Sequence, residues 1–96
     1  MNKSIIHNNE DYCYVCGQFI YGNKDKHHIF NGPYRSKSED DGLYIYCHRV
    51  CHEWLHRHPI SNRTYKLRGQ KVWMLHYKKS LDDFIERYGK NYDTNE

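Results

Sequence analysis

The sequence lacks long apolar runs and is poor in aliphatic residues. Only 38% of its 96 residues are hydrophobic, the mean hydropathy is −1.10, and much of the apolar content is aromatic. No run approaches the roughly 18 apolar residues of a membrane span, so we expect no contact with a membrane. A chain of this length is expected to form one domain with a small core, and such domains commonly need disulfides or a metal as a staple.

A secretory signal, internal repeats and low-complexity segments are also missing. Residues 1–10 are polar apart from Ile5 and Ile6, so we expect an intracellular, cytoplasmic protein. In a reducing compartment, the four cysteines are better interpreted as metal ligands than as disulfides. The net charge of +3 permits a polyanionic partner without requiring one.

The pattern of apolar and turn-forming residues predicts a small α+β fold. We expect a flexible N-terminus over residues 1–11, one domain over residues 12–92 and a polar tail over residues 93–96. In chain order, the domain is predicted to contain a turn at 13–17, a strand at 26–30, a polar loop at 31–42, a strand at 43–46, a helix at 47–58 and further helices at about 65–79 and 80–89.

Four cysteines occur as two close pairs, Cys13 with Cys16 and Cys47 with Cys51. Zn²⁺ prefers four tetrahedral ligands, often thiolates delivered as two such pairs. We therefore predict a structural zinc ion on these four residues, with disulfides or inert buried thiols as the alternatives. His48 also has the correct spacing to Cys51 and is a substitute for Cys47.

Histidine is the other unusual feature, with eight in the chain. His52 and His56 are four residues apart on the predicted helix, so they share one face and can bind one ion. His27 and His28 are neighbours on the first strand and should point to opposite faces. Because imidazole binds divalent ions and accepts protons near neutral pH, these four residues predict a functional site. A second structural metal or plain surface histidines are the alternatives.

Three segments together resemble a known family. CYVCG, HHIFNGPYRSKSEDDGLYIYCHRVCHEWLH and FIERYGKNY are similar to small phage-encoded HNH-like nucleases, related in pattern to RecA-dependent phage nucleases. The resemblance covers about residues 12–92. It implies a zinc-stapled ββα-metal core with C-terminal helices, acting in the bacterial host as a DNA endonuclease or nickase with one Mg²⁺ or Mn²⁺ ion.

The resemblance also implies roles for individual residues. His28 takes the position of the general base, His27 and His52 take metal-binding positions, and His56 matches a further histidine of the phage subgroup. His27 stands where the wider motif has an acidic residue, so the two strand histidines can exchange roles.

One position departs from the motif. Gly42 replaces the asparagine that normally orients the base, for which Asn31 or a backbone carbonyl is a substitute.

Several cations are candidates for contacts with DNA phosphates. Arg35 is the strongest, because the family motif has an arginine there, and it would also act in catalysis by steadying the phosphate. The further candidates near the predicted site are Lys37, Arg49 and Arg57. The cations of the following helix fit a solvated face equally well; they are Lys66, Arg68, Lys71, Lys78 and Lys79.

The sequence therefore predicts a metal-dependent DNA endonuclease. A recombinase or another phage or host protein is a further candidate partner, and the sequence indicates no oligomeric state. The alternative is a non-catalytic zinc module that binds nucleic acid or protein, including a phage accessory or inhibitor protein built on a decayed nuclease scaffold.

Overall fold

Two short antiparallel strands lie at the centre of the protein. The computed structural model describes residues 3–93, in which β1 is Asp25–His28 and β2 is Tyr44–Cys47. The register pairs His27 with Ile45, and β1 bonds to β2 along one edge. Because side chains alternate between the two faces of a strand, neighbouring residues of β1 meet different surroundings.

Four α-helices accompany this sheet within the described residues, so the chain is a small α+β protein, as the sequence predicts. They are α1 (Arg35–Asp40), α2 (Arg49–His56), α3 (Pro59–Tyr77) and α4 (Leu81–Tyr88). No helix within residues 3–93 combines the length and apolar character that crossing a bilayer requires.

The core lies between the sheet and the last three helices. Gly69 lets α3 approach the end of β1, because a Cβ atom there would lie 2.8 Å from Ile29 Cγ2. The buried side chains that form the main cluster are Ile29, Phe30, Leu43, Ile45, Leu55, Trp73, Phe84 and Tyr88. Half of these are aromatic, which is how a chain poor in aliphatic residues fills its interior.

The predicted loop at 31–42 contains a helix instead. A 3₁₀ turn at Gly32–Tyr34 leads directly into α1. The helix is anchored by Ser38, whose hydroxyl accepts a hydrogen bond from the Phe30 amide and donates one to the Leu43 carbonyl. Only Ser38 of α1 is buried, so the segment carries no apolar periodicity that would have indicated a helix.

The last two helices begin at residues that favour a helix start, and the last one also ends at a residue that favours a helix end. Pro59, which was predicted to end the preceding helix, is also the first residue of α3, where its missing N–H costs nothing. Ser80 caps α4 through a reciprocal capping box with Asp83, and Gly89 ends the helix in the left-handed conformation. These observations confirm the predicted start and end of the last helix.

Part of the N-terminal segment predicted to be flexible packs against β2. The Ser4 hydroxyl donates to the Tyr44 carbonyl at 2.6 Å, and the Tyr46 amide donates to His7 Nδ1 at 3.0 Å. His7 is buried and its Nε2–H donates to the Tyr12 carbonyl, so this histidine is structural. Residues 1, 2 and 94–96, including most of the predicted polar tail, lie outside the described residues.

Candidate metal centres

A turn after the N-terminal segment brings the first cysteine pair to the start of α2. The Gly17 amide donates to the Cys13 carbonyl at 2.8 Å, and the Cys16 amide lies 3.4 Å from Cys13 Sγ. Ligand atoms of Cys13, Cys16, His48 and Cys51 all lie within 4.8 Å of one another. This group can hold a metal ion, and three sulfurs with one imidazole form a donor set typical of structural zinc.

His48 is oriented to offer a ligand nitrogen. Its Nε2–H donates to the Phe19 carbonyl at 3.2 Å, which leaves the Nδ1 lone pair facing the thiols. Nδ1 lies 3.4 Å from Cys16 Sγ and 3.9 Å from Cys51 Sγ. A metal-binding histidine commonly has its second nitrogen fixed in this way, because the carbonyl selects the tautomer.

Cys47 is not part of this group, which corrects the predicted cysteine quartet at one position. Its thiol is fully buried and lies 3.8 Å from the carbonyl oxygen of Asp25. Asp25 is the residue of β1 that pairs with Cys47 at the end of the sheet. Cys47 is the last residue of β2, and His48 occupies the N-cap position of α2. The chain changes direction between strand and helix, which turns the His48 side chain toward the other ligands. His48 takes the fourth position in place of Cys47, which is the alternative that the sequence left open.

The thiols differ in how readily they ionise. Burial raises the pKa of the Cys13 thiol, but hydrogen bonds from the Cys16, His48 and Val15 amides outweigh burial and lower it to about 6. Burial, followed by the hydrogen bond with Cys13, raises the pKa of Cys51 to about 12. The Cys13 thiolate thus forms readily, and its negative charge disfavours ionisation of the Cys51 thiol. The positive charge of a metal ion removes this repulsion between thiolates.

A second cluster joins β1 to α2. His27, His52 and His56 place their ligand nitrogens within 4.8 Å of one another. His52 and His56 share one face of α2, as their spacing predicts, and their Nε2 atoms are 3.2 Å apart. His27 is 1% exposed, and its buried Nε2 has no hydrogen-bond partner among the described residues. An unpartnered buried nitrogen beside two others is the arrangement expected of a metal site.

Asp25 orients this second cluster. It shares the face of β1 that carries His27, two residues away, and its carboxylate accepts from His52 Nδ1–H at 3.1 Å. This hydrogen bond leaves the His52 Nε2 lone pair directed toward His56 Nε2, 3.2 Å away, where it is available to a bound cation. The carboxylate therefore fixes the tautomer needed for metal binding.

The His27 imidazole is held neutral. Burial, followed by the nearby His52 and His56, lowers its pKa from 6.5 to about 4. The lone pair of its unprotonated ring nitrogen is therefore available at neutral pH, and binding an ion there displaces no proton from His27.

His28 lies on the other face of β1. Its Nε2–H donates to Glu39 Oε1 at 2.7 Å, and the same carboxylate accepts from Lys26 Nζ at 3.0 Å. The hydrogen bond with His28, followed by that with Lys26, lowers the pKa of Glu39. Three of the four predicted histidines therefore converge, whereas His28 is adjacent to them with a carboxylate partner of its own.

The predicted DNA-contacting cations are spread over the surface. Arg35 is exposed and lines a shallow depression with His28 and Glu39. Lys37 is turned away from these residues, because its ammonium donates to the Arg87 carbonyl at 3.2 Å. The remaining two are exposed at opposite ends of α2; they are Arg49 and Arg57.

Sequence reasoning missed two carboxylates of the site. Asp25 lies one residue before the predicted strand at 26–30, and only the longer observed strand places it on the face of His27. Glu39 carried no signal either, because it was assigned to a loop and meets His28 only through the packing of α1. Comparison with known proteins finds no matching family model, no significantly similar curated protein and no significantly similar solved structure.

Proposed function

We propose that this protein is a metal-dependent endonuclease that hydrolyses DNA phosphodiester bonds on an HNH-like (ββα-metal) core. The observation that carries the proposal is the convergence of His27, His52 and His56 from a strand and a helix, with the buried His27 Nε2 unpartnered. The order of two antiparallel strands followed by α2 supports the same core. The phage origin and the host cytoplasm implied by the resemblance remain part of this proposal.

The donor set favours a transition metal over Mg²⁺. Three imidazoles suit ions such as Zn²⁺ or Ni²⁺, whereas Mg²⁺ prefers oxygen ligands. Three protein ligands also leave positions for water and phosphate oxygen. When bound, the ion would supply charge stabilisation at the phosphate and at the departing oxygen.

His28 is the proposed general base. With Nε2–H held by Glu39, the neutral imidazole presents Nδ1 as the nitrogen that accepts a proton from the attacking water. Glu39 thereby takes the orienting role that the motif gives to the asparagine missing at Gly42. Arg35, which lines the same depression, would hold a phosphate oxygen.

The substrate phosphate would sit at the edge of β1 that is not bonded to β2. His27 and His28 lie on opposite faces of this strand, and only at its edge can one phosphate approach both faces. Metal binding on one face and proton transfer on the other would then act on the same phosphate.

A non-catalytic zinc module that binds nucleic acid or protein is the second candidate. The separation of His27 and His28 onto opposite faces favours it, because a binding module does not need the two residues to act on one atom. Such a module would bind DNA without cleaving it.

A nicking assay separates the two candidates. Zinc-loaded protein is incubated with supercoiled plasmid and Mn²⁺, Zn²⁺, Ni²⁺ or Mg²⁺, and open circles are quantified. We expect nicking to be strongest with a transition metal and to fall by about 10²–10⁴ in His28→Ala, since a general base contributes about that factor. Exposed His76 on α3 provides the matched control, His76→Ala, which should nick normally.

Two results would contradict the nuclease proposal. One is the absence of nicking by wild-type protein with every ion tested. The other is equal nicking by His28→Ala and His76→Ala when circular dichroism shows that both variants are folded.

A further inference from the structure

We propose that a cationic depression between the first turns of α3 and the segment after α4 binds a backbone phosphate of the nucleic acid, at a position separate from the bond that is cut. This inference rests on the proposed function for its substrate class. It assigns a positioning role to Lys66, which from the sequence fits a solvated face equally well, and to Lys90, which the sequence did not single out.

One stripe of α3 forms the first wall. Pro59, Asn62, Arg63 and Lys66 follow one another at helical spacing and line the depression together. The opposite wall is residues 90–92, directly after α4. Among the residues that the structure describes, the lining contains three cations and no carboxylate, which favours an anion inside.

The second wall is held in place by a buried side chain. Gln70 is 2% exposed, and its amide donates to Asn91 Oδ1 at 2.8 Å while its carbonyl oxygen accepts from the Tyr92 amide at 2.7 Å. Both polar ends of Gln70 are therefore used to fix the residues after α4. The wall is attached to the same helix that supplies the opposite side, which keeps the width of the depression constant.

Two ammonium groups converge on one ring at this point. Lys90 Nζ lies 4.9 Å and Lys66 Nζ lies 5.9 Å from the centre of the half-buried Tyr92 ring. The aromatic face attracts each cation, but the ring carries no negative charge that would neutralise the ammonium groups. A phosphate accepting from both would provide that neutralisation, with charge-assisted hydrogen bonds.

The depression is close to the histidine cluster. Pro59, which lines the depression, is the first residue of α3 and follows His56 of the histidine cluster by three residues. Only Arg57 and His58 separate α2, which carries His52 and His56, from α3. A strand whose phosphate is cut at the histidines would thus carry another of its phosphates past Lys66.

The test measures DNA binding and cleavage separately. Fluorescence anisotropy with a labelled duplex compares wild type, Lys66→Gln/Lys90→Gln, and the matched control Lys71→Gln/Lys79→Gln, whose lysines are exposed and outside the depression. Both double variants lose the same charge. We expect the first to bind about tenfold more weakly at moderate salt and to lower the slope of log K against log salt by about one to two.

Each outcome decides a different point. Equal affinities and slopes for the two double variants would overturn the depression as a phosphate site. If wild-type protein binds DNA but does not cleave it, while Lys66→Gln/Lys90→Gln binds weakly, the depression stands and the nuclease proposal fails. If cleavage occurs, the same variant should raise KM about tenfold with kcat unchanged, since the interaction is present in both ground and transition states.

Free phosphate is distinguished by competition. Potassium phosphate and potassium chloride at equal ionic strength should displace DNA from wild-type protein equally. Stronger displacement by phosphate, lost in Lys66→Gln/Lys90→Gln, would assign the depression to a small free anion and overturn its role in binding a polynucleotide.

Discussion

At the residue scale, the Asp41 carboxylate connects three helices, α1, α3 and α4. Asp41 follows α1 and is 9% exposed. It accepts from Trp73 Nε1 at 2.8 Å, from the Tyr88 hydroxyl at 2.6 Å and from two nitrogens of Arg87. The oxygens of this buried carboxylate are satisfied by these donors, and removing any donor leaves part of its desolvation uncompensated.

Replacing Tyr88 with phenylalanine should change both stability and its dependence on pH. Loss of the hydrogen bond to Asp41 should lower the free energy of unfolding at neutral pH by about 1–2 kcal/mol. Burial, followed by the hydrogen bond with Asp41, raises the pKa of Tyr88 above its usual value of 10.0. The unfolded chain therefore releases this proton first, so wild-type stability present below pH 10 is lost as pH rises above it.

Urea unfolding at pH 9 and pH 11 checks this prediction. Wild-type protein should lose about 1 kcal/mol more than Tyr88→Phe across that interval. Equal losses in the two proteins would show that the phenol is not protected by burial.

Sequence spacing predicts contacts between residues that are close in the sequence, and it fails for contacts between residues that are far apart in the sequence. His52 and His56 were identified because a helix brings residues four apart together. Glu39 lies 11 residues from its partner His28, and Asp41 lies 46 residues from Arg87. Such pairs form only when separate elements pack, so a charged segment interpreted as a loop concealed both carboxylates.

At the scale of elements, α3 depends on a close approach to the core. Its Gly69 faces Ile29 and Phe30, which are almost completely buried. Glycine inside a helix costs about 1 kcal/mol relative to alanine, so its presence needs a packing reason.

Gly69→Ala should therefore destabilise the protein despite its better helix propensity. The added Cβ would lie 2.8 Å from Ile29 Cγ2 and 3.3 Å from Phe30 Cε2. Overpacking of about 1–3 kcal/mol should exceed the gain in propensity, for a net loss of about 1 kcal/mol. Thermal unfolding checks the sign against exposed Lys71→Ala in the same helix, and a higher Tm for Gly69→Ala would contradict the packing argument.

The amino terminus of α4 offers a second test. Ser80→Ala removes the Oγ acceptor of the Asp83 amide, leaves the bond from the residue-80 amide to Asp83 Oδ2, and should lower the free energy of unfolding by about 1 kcal/mol. Ser80→Asp keeps an acceptor at the same position and should retain most of the stability. Chemical denaturation at neutral pH compares the three proteins, and equal midpoints for wild type and Ser80→Ala would exclude a stabilising cap.

The same element shows why some helices are predictable. In α4, an N-cap, early acids, apolar residues at helical spacing and a final glycine all agree. By contrast, α1 has six residues, and its sequence, RSKSED, is entirely polar. The early turns of α3 were missed because Pro59 was interpreted only as an end, although proline is also favoured at the first helical position.

At the scale of the whole molecule, the described chain carries two clusters that could hold a metal ion, and both use residues of one short helix. The Cys13 cluster joins the N-terminal turn to the first half of α2, and the His27 cluster joins β1 to the middle and the last residue of α2. A small domain gains much of its folding free energy from such ligand sets, since the unfolded chain lacks a preformed site.

Selective ligand removal should separate the two clusters. Cys16→Ser should lose the structural ion and unfold in large part at 25 °C, whereas His56→Ala should lose only the second ion and remain folded. Metal content by mass spectrometry and far-ultraviolet circular dichroism measure the two effects. A folded Cys16→Ser protein with unchanged metal content would contradict a structural role for the first cluster.

Cys51 and His52 are consecutive residues, yet they belong to different clusters. The rotation of one ligand set relative to the other around the axis of α2 is therefore fixed by the one-residue spacing of Cys51 and His52. Inserting one residue between them would turn one set by about 100° relative to the other, while four inserted residues would restore the phase to within about 40° and add about 6 Å of rise. Substitutions at the exposed positions of this helix that supply no ligand are consequently easier to accommodate than any change in its length.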